Sequence, residues 1–374
     1  MLLLYATEPT GNSLRDGSGT NGKLCRSTVE GQRYRRLRVG VTTAIDNNDD
    51  EHHDVDVQVD GRTQEAKFRI SAGGVGRNIC EALEKLGTIP TFISAVGDDD
   101  RGDFLLSSIG KKSRLYVPKL KNQRTSQFIV VLDNNGECKL LLGDGDIHKL
   151  ITPKMVLDAE KIIKESPLIV FDGNLSRETV STLLHLAEKH NIPVLFEPTD
   201  VPTAIVPFQT PFWRNIDIIT PNLNELKEIA KCLGLIKHYS SCKINEINAC
   251  ANLALAVANK INTVILTLSN NGLIIARKED STEPLLNLSS NKTKLPRARH
   301  YPALSVQDLV NVSGAGDCLA SGIIIGIIKG YSEVDCIANG LYAAVDSLRS
   351  ESAIPNNFSK ILDQKHPIKY TSIN

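Results

Sequence analysis

The sequence predicts an α/β protein in which a mainly parallel β-sheet is covered by helices on both faces. The first observation is that strand-like apolar segments alternate with helix-like segments from about residue 168 onward. This rhythm is typical of successive β-α-β units. The second is a length of 374 residues, enough for one large α/β domain or two smaller ones. The third is a globular composition, with 41% hydrophobic and 23% charged residues.

Charge, hydropathy and cysteine usage exclude several classes of partner. The 43 Lys and Arg residues balance the 43 Asp and Glu residues, so we expect no electrostatic attraction to nucleic acid or to an anionic membrane. The longest apolar stretch, GIIIGII at 322–328, is far too short to span a bilayer. The eight cysteines form no C-x-x-C pair, which is typical of free thiols in a reducing compartment. We therefore expect a cytoplasmic protein.

The N-terminal third predicts an extension, a first strand and a first helix. Residues 1–33 are rich in Gly, Ser, Thr and Asn without periodicity, so we interpret residues 1–35 as a disordered or peripheral extension. RLRVGVTTAID at 36–46 predicts the first strand. GRNICEALEKLG at 76–87 predicts a helix closed by its final glycine, and TFISAVG predicts the strand after it.

Two regions do not fit the strand–helix rhythm and predict a small separate sheet. DVDVQV alternates as an exposed strand does. SQFIVVLDNNGECKLLLGD contains two strand patterns around an NNG turn, which favours a hairpin. We expect these regions, at about 54–70 and 118–146, to form a β-sheet lid.

The rest of the chain supplies the main sheet and its helices. The predicted strands are LIVFD (168–172), PVLFEP (193–198), DIIT (217–220), TVILTLS (263–269) and GLIIAR (272–277). The predicted helices lie at about 176–189, from Asn222 onward, and at 247–260, 315–329 and 333–349.

The segment SGAGD, at 313–317, places two glycines and an aspartate at the start of a long apolar helix. Free N–H groups at Gly314, Ala315 and Gly316 would attract a phosphate or a developing oxyanion. A carboxylate would repel a simple anion at this place, but it can remove a proton from a hydroxyl that then attacks phosphorus. Asp317 is therefore a candidate general base. The alternative is an acidic first-turn residue that complements the helix dipole.

Two further motifs are informative when taken together with SGAGD. In SAGGVGRNI the glycines let a ligand lie against the backbone, and Asn78 at the helix start would face it. In TPNLNEL, Asn222 and Glu225 are three residues apart and would share one helical face. An amide and a carboxylate there can organise hydrated Mg²⁺. The alternatives are a tight turn for the first motif and a helix cap with an acidic first turn for the second.

A glycine-rich turn, N-x-x-E in mid-chain and GAGD on a late helix occur in an order that resembles the ribokinase-like (PfkB) family of carbohydrate and nucleoside kinases. The resemblance covers about residues 36–365. Within the family, GGVGRNI, ISAVGDD, LDNNGE, GDGDIHKLITP and TPNLNEL are most similar to the pseudouridine kinases. The resemblance implies a ribokinase-like, Rossmann-like three-layer sandwich with a mainly parallel central sheet and a β-sheet lid. It also implies an enzyme that uses ATP to phosphorylate the 5′-hydroxyl of a nucleoside.

The resemblance also implies roles for individual residues. Asp317 would be the catalytic base, and Gly314, Ala315 and Gly316 would form the anion hole. The implied substrate-binding residues are Asp46, Gly73, Gly74, Asn78 and Thr125, and the implied ATP-binding residues are Asn222, Glu225, Thr267, Ser269 and Gly272. Asn222 and Glu225 would organise Mg²⁺, K⁺ is a candidate activating cation, and the lid could join two copies in a homodimer. Adenine contacts are expected from the last two helices and the loop before NVSGAGD.

The sequence departs from the family pattern at three places. The first strand usually reads G-G-x-N-x-D, whereas residues 41–46 read VTTAID, so side chains stand where bare backbone usually meets the sugar. Ser269 replaces the first glycine of the nucleotide loop, and Asn311 replaces an aspartate before GAGD. Two alternatives therefore stay open: another sugar or nucleoside kinase of ribokinase or adenosine kinase type, and a non-catalytic nucleoside-binding relative.

Overall fold

The computed structural model describes residues 2–5, 40–44, 67–132, 138–235, 243–286, 294–359 and 368–373. Its strands are β1 (Leu2–Tyr5), β2 (Gly40–Ala44), β3 (Lys67–Ser71), β4 (Pro90–Ile93), β5 (Val96–Gly97), β6 (Lys119–Leu120), β7 (Gln127–Leu132), β8 (Cys138–Asp144), β9 (Ile169–Asp172), β10 (Val194–Glu197), β11 (Ile218–Ile219), β12 (Thr263–Thr267), β13 (Leu273–Arg277), β14 (Arg297–Tyr301) and β15 (Thr371–Ile373). Its α-helices are α1 (Val75–Lys85), α2 (Asp100–Ser107), α3 (Pro153–Asp158), α4 (Glu160–Ile163), α5 (Arg177–His190), α6 (Leu223–Cys232), α7 (Ile247–Ala258), α8 (Ala315–Ile328) and α9 (Glu333–Leu348).

Nine of the described strands form the main sheet, in the order β15-β14-β13-β12-β11-β10-β9-β1-β4. Strands β9 to β12 pair in parallel. Strand β4 points the same way, because β1 lies antiparallel to both β4 and β9. Strand β14 also shares this direction, since β13 is antiparallel to β12 and to β14. Six of these nine strands thus run in one direction, which confirms the predicted mainly parallel sheet.

Alternate residues of the main-sheet strands point into two separate apolar cores, one on each face. In β9, Phe171 packs with Leu183 of α5 in the first core. Its neighbour Val170 packs with Ile79 of α1 and Ile323 of α8 in the second. This period-two alternation is what a sheet covered on both faces requires. The predicted three-layer sandwich is therefore confirmed, with α1, α8 and α9 opposite α5, α6 and α7.

The interpretation of residues 1–35 as a peripheral extension is wrong for Leu2–Tyr5, which form β1. Leu2–Tyr5 lies inside the main sheet, where its backbone pairs with β4 on one side and β9 on the other. Four apolar or aromatic residues are too short a run to predict a central strand from the sequence. The pairing depends on partners about 90 and 170 residues away, which no local pattern reveals.

A second sheet has the order β3-β2-β7-β8. The predicted hairpin is present as β7 and β8, which pair antiparallel, and its NNG turn lies outside the described residues. The segment predicted as the first strand contributes Gly40–Ala44 to this small sheet and not to the main one. Strands β3, β7 and β8 lie in or next to the ranges expected for the lid, whereas β2 lies before them and the predicted strand DVDVQV lies outside the described residues. That this sheet acts as a lid stays a prediction.

Three main-sheet strands, β1, β14 and β15, were not predicted. In β14 the reason is its polar and charged residues. Arg299 in this strand looks like a surface residue in the sequence, but it is buried and donates from Nε to Glu333 Oε1 of α9 at 2.6 Å. The hydroxyl of Tyr301 donates to the same oxygen at 2.7 Å. A charged strand can therefore lie inside when a buried partner on a distant helix neutralises it.

Among the described segments, none of the helices combines the length and the apolar character that crossing a membrane requires.

Candidate active site

The start of α8 is fixed by a glycine that no other residue could replace without a shift of backbone. Gly314 is the residue before the helix and has φ 85°, in the left-handed region. A Cβ at this position would lie 2.2 Å from the carbonyl oxygen of Ala353. Gly314 therefore allows the chain to turn into α8 with its first N–H groups free of the preceding backbone. Ala315 and Gly316 of this first turn line a large cleft.

Asp317 lies one residue further along α8, and its carboxylate meets a side chain from α1. Asn78 donates from Nδ2 to Asp317 Oδ2 at 2.6 Å. Asn78 is buried in the first turn of α1, directly after Gly74, whose φ of 98° also requires the left-handed region. The contact joins two motifs that are 239 residues apart in the chain. The structure therefore brings the glycine-rich turn and the GAGD segment into one site.

The environment of Asp317 prepares its carboxylate to exchange a proton near neutral pH. Burial raises the pKa of Asp317 to about 7, while the hydrogen bond from Asn78 and the charge of Arg77 act in the opposite direction. The negative charge of Asp172 raises this pKa further. A general base works best when its pKa is close to the operating pH, so Asp317 has the acidity that the sequence-based role needs.

Two acidic residues near Asp317 were missed by the sequence analysis. Asp172 ends β9 and Glu197 ends β10, at the same edge of the main sheet. Burial raises the pKa of Glu197 well above its usual range, and the charges of Asp317, Glu225 and Asp172 add to this rise. The available sequence signal is the pattern in IVFD and VLFE, in which each acid ends a buried apolar run. Carboxyl ends of neighbouring parallel strands are where ligands bind in open α/β sheets.

Asn222 and Glu225 do not share a helical face as predicted, because Asn222 is the N-cap of α6. Its Oδ1 accepts from the backbone N–H groups of Asn224 at 2.9 Å and Glu225 at 3.0 Å. Glu225 in turn accepts from the backbone N–H of Asn222 at 2.8 Å. This reciprocal arrangement is a capping box, which satisfies free donors at the helix start. The alternative of a helix cap with an acidic first turn describes the observed geometry.

The capping box still leaves oxygen atoms for a metal. Glu225 uses Oε2 for the cap, and its Oε1 stays outside these bonds. Burial raises the pKa of Glu225 to about 7, and the charge of Asp200 contributes. A nearby divalent cation would favour the ionised form of such a carboxylate. Within the described residues, His, Cys, Asp and Glu side chains form no group of three suited to a metal.

A cleft of about 1160 Å³ lies beside α8 and is lined by several of the predicted ATP-binding residues. These are Asn222, Thr267, Ser269 and Gly272, together with Ala315 and Gly316 of the predicted anion hole. Apolar side chains from the loop before α8 and from α9 also line the cleft and are called its apolar wall: Leu304, Val306, Leu309, Val312, Leu341, Val345 and Leu348. Such a wall offers the contact surface that a purine ring needs.

The turn after β12 has the conformation that a glycine-rich loop would have. Gly272 has φ 83°, and a Cβ there would lie 2.1 Å from the carbonyl oxygen of Tyr301. Ser269, which stands where the family has glycine, has φ 53°. The backbone thus adopts the left-handed form at a non-glycine residue, at a cost in strain. Thr267 ends β12 and its N–H donates to the carbonyl oxygen of Pro221 at 2.9 Å, which ties this turn to α6.

Two predicted substrate-binding residues need correction or lie outside the description. Thr125 is 1% exposed. Its Oγ1 donates to Asp99 Oδ1 at 2.5 Å and accepts from the N–H of Gly97 at 3.0 Å. The side chain is buried and its hydroxyl hydrogen is already donated to Asp99, so Thr125 holds the chain before β7 and does not suit a substrate contact. Asp46 lies outside the described residues, whereas Gly73 and Gly74 form the turn directly before α1, whose first turn contains Asn78.

The chain matches known proteins along most of its length. A family model described as pfkB family carbohydrate kinase matches residues 40–359. The chain is 25% identical over 335 residues to the pseudouridine kinase of Arabidopsis thaliana, covering 80% of this chain and 88% of that protein. It is 35% identical over 135 residues to the pseudouridine kinase of Escherichia coli (strain K12), covering 35% and 42%. The solved structure of Arabidopsis thaliana ribokinase complexed with ribose and ATP matches with a TM-score of 0.60 at 17% identity, covering 85% and 93%.

Proposed function

Since the chain belongs to the pfkB family of carbohydrate kinases, we propose that it transfers the γ-phosphoryl group of ATP to the 5′-hydroxyl of pseudouridine. The products are pseudouridine 5′-phosphate and ADP. Two curated relatives with which the chain aligns are pseudouridine kinases. The segments GGVGRNI, GDGDIHKLITP and TPNLNEL, which resemble that subgroup, support the same substrate.

The observation that carries the proposal is the contact between Asn78 and Asp317. It places a carboxylate with a pKa of about 7 between a glycine turn and the N-terminus of a helix. A hydroxyl held against Gly73 and Gly74 can give its proton to Asp317 while its oxygen attacks the γ-phosphorus. The bond between that phosphorus and the bridging oxygen breaks, and ADP leaves. A positioned base contributes about 10²–10⁴-fold to such a step.

The start of α8 supports the charge that develops during transfer. The first-turn N–H groups after Gly314 have no earlier helical turn to bond to, and the helix dipole places partial positive charge there. Transferred phosphoryl oxygens gain stabilisation from donors that are already oriented. Gly316 has room on its outer side, since a Cβ there would meet no atom within 4 Å.

We assign ATP to the cleft of about 1160 Å³, with its phosphates toward Gly316 and its base against the apolar wall. Lys227 and Lys243 also line this cleft, and their positive charges suit an anionic ligand. Glu225 would hold Mg²⁺ through water, with Asn222 beside it. When bound, Mg²⁺ would neutralise phosphate charge and offset the repulsion from the neighbouring carboxylates. Activation by K⁺ and dimerisation through the small sheet stay predictions.

The decisive experiment measures ADP formation from ATP with pseudouridine, uridine, adenosine and ribose as separate acceptors. We expect pseudouridine to give the highest kcat/KM. A different preferred acceptor would replace the proposed substrate while retaining the kinase activity. Tight nucleoside binding without turnover of any acceptor would instead favour the non-catalytic alternative. Calorimetry with each acceptor, in the absence of ATP, supplies the binding data.

A further inference from the structure

We propose that Arg77 is a positioning residue for the catalytic base, because its guanidinium fixes the side-chain amide of Asn78 that holds Asp317. This inference rests on the proposed function, since it names a group that prepares the same site for proton transfer. Arg77 belongs to the GGVGRNI segment, but the sequence assigned it no role.

The first observation is that Arg77 is buried and uses all of its hydrogen-bond donors. It is 4% exposed. Its Nε donates to the carbonyl oxygen of Gly73 at 3.0 Å, and Nη2 donates to the carbonyl oxygen of Ala72 at 3.0 Å and to Asn78 Oδ1. Nη1 donates to Ser108 Oγ at 2.9 Å and to Glu81 Oε2. A guanidinium has five N–H groups, so these five bonds leave it one orientation.

The second observation is that this orientation decides which way the Asn78 amide points. A guanidinium donates hydrogen bonds and accepts none. The Asn78 atom that faces Arg77 must therefore be the carbonyl oxygen Oδ1, and Nδ2 must point the other way. That nitrogen lies 2.6 Å from Asp317 Oδ2. If the amide were turned over, two donors would face each other at Arg77 and two acceptors at Asp317.

The third observation concerns charge around the base. Two charged groups act on the pKa of Asp317, Arg77 on α1 and Asp172 at the end of β9. Asp317 in turn raises the pKa of Glu197 at the end of β10 and of Cys318 on α8. Arg77 is the cation of this pair, and it favours the ionised form of Asp317, against burial and the charge of Asp172. Glu81 pairs with both Arg77 and Lys85, so the cluster of these three keeps one net positive charge.

A lysine could not do the same work. Its ammonium carries three donors on a flexible stem and cannot form the planar fork that reaches Ala72, Gly73 and Asn78 together. Arg77→Lys therefore keeps the charge but loses the orientation of the amide, whereas Arg77→Gln loses both. Ser108→Ala is the matched control, because it removes one bond from Nη1, on a different nitrogen from the one that holds Asn78.

The kinetic test measures kcat, KM for the nucleoside and the pH profile of kcat in these variants. We expect Arg77→Gln to lower kcat about 10–100-fold and to move the acidic limb of the profile to higher pH. Arg77→Lys should lower kcat with a smaller movement of the limb, and Ser108→Ala should change neither. An increase in KM alone, with kcat and the profile unchanged, would show that Arg77 supports the turn and would overturn the proposal.

A double-mutant cycle tests whether Arg77 acts through Asn78. If it does, Arg77→Lys combined with Asn78→Ala should lower kcat no more than Asn78→Ala alone. Fully additive losses would overturn the proposal. This arm uses the charge-conserving variant, so it stays decisive if Arg77→Gln does not fold.

A spectroscopic arm separates this proposal from the proposed function. The carboxyl carbon of Asp317 is titrated by ¹³C NMR in protein labelled at aspartate, with Asp317→Asn used to assign its resonance. We expect a higher pKa for Asp317 in Arg77→Gln, and in Arg77→Lys a pKa closer to that of the wild type. Equal pKa values in all three proteins would overturn the positioning role. If the wild type phosphorylates no acceptor, the proposed function fails, while this titration still decides the role of Arg77.

Discussion

At the scale of single residues, Asp317 combines a catalytic requirement with a cost to stability. Its carboxyl must lose a proton to act as a base, yet burial opposes that loss and raises the pKa to about 7. We expect Asp317→Asn to fold and to lower kcat by about 10²–10⁴-fold. Steady-state kinetics with circular dichroism as the folding control measure this. Near wild-type kcat in the variant would contradict the role of Asp317.

The same substitution makes a prediction about stability and pH. An aspartate whose pKa is raised in the folded state binds a proton on folding between about pH 4 and pH 7. Its contribution is present at low pH and is lost as the pH rises through 7. The asparagine of Asp317→Asn cannot ionise. We therefore expect the free energy of unfolding of this variant to exceed that of the wild type by about 2 kcal/mol above pH 8 and by little at pH 4. Urea unfolding at both pH values measures the difference; an advantage that is larger at pH 4 would contradict this sign.

Ser269 makes a separate prediction, because its φ of 53° suits glycine better. The left-handed form costs a non-glycine residue about 1–2 kcal/mol, and the entropy of an unfolded glycine offsets part of the gain. We expect Ser269→Gly to stabilise the protein by about 0.5–1 kcal/mol in urea unfolding. Asn270→Gly in the same turn is the control, since its φ is not positive. We expect Asn270→Gly to lower the free energy of unfolding by a similar amount. If both variants are less stable than the wild type, the argument from φ is refuted.

At the scale of elements, the site is formed where two helices from opposite ends of the chain meet. Helices α1 and α8 pack on the same face of the main sheet, and each begins at a glycine with positive φ. Their first turns then place Asn78 and Asp317 in contact. The glycines position the helix starts, and the packed apolar faces of the helices set the distance between them.

The connection between β5 and β7 is also an element-scale feature. Thr125 joins Asp99 and Gly97 through its hydroxyl. We expect Thr125→Val to lower the free energy of unfolding by about 1–3 kcal/mol, because a buried N–H loses its acceptor. Thr125→Ser keeps the hydroxyl and should lose less. Urea unfolding curves and KM values for the nucleoside are measured for the wild type and both variants. Wild-type stability together with a raised KM would restore the substrate contact that the sequence predicted.

At the scale of the whole molecule, β1 joins β4 to the rest of the main sheet. Leu3 in the middle of β1 pairs with Phe92 and with Val170. Proline lacks the N–H that a central strand must donate, so we expect Leu3→Pro to lower the free energy of unfolding by at least about 2 kcal/mol. Leu3→Val is the control and should change it little. If Leu3→Pro is as stable as the wild type, the N-terminal residues are peripheral after all.

The sequence by itself determined the α/β class, the alternation of buried strand faces and the local motifs at Gly314 and Asp317. These features depend on residues close together in the chain, where periodicity and turn chemistry act. It did not predict the acids Asp172 and Glu197, although each follows an apolar strand directly. A single acid after a strand has many structural uses, so its meaning depends on which strands are neighbours.

The tertiary structure alone decided the position of β1, the capping geometry of Asn222 and the network from Arg77 through Asn78 to Asp317. Each of these depends on which backbone or side-chain groups remain free after the chain has packed. Asn78 and Asp317 are 239 residues apart, and their contact exists because α1 and α8 bury apolar residues against one sheet face. Burial of these apolar residues brings the polar side chains of the site together. Because buried polar groups need hydrogen-bond partners, the same burial makes the hydrogen bonds that orient those side chains necessary.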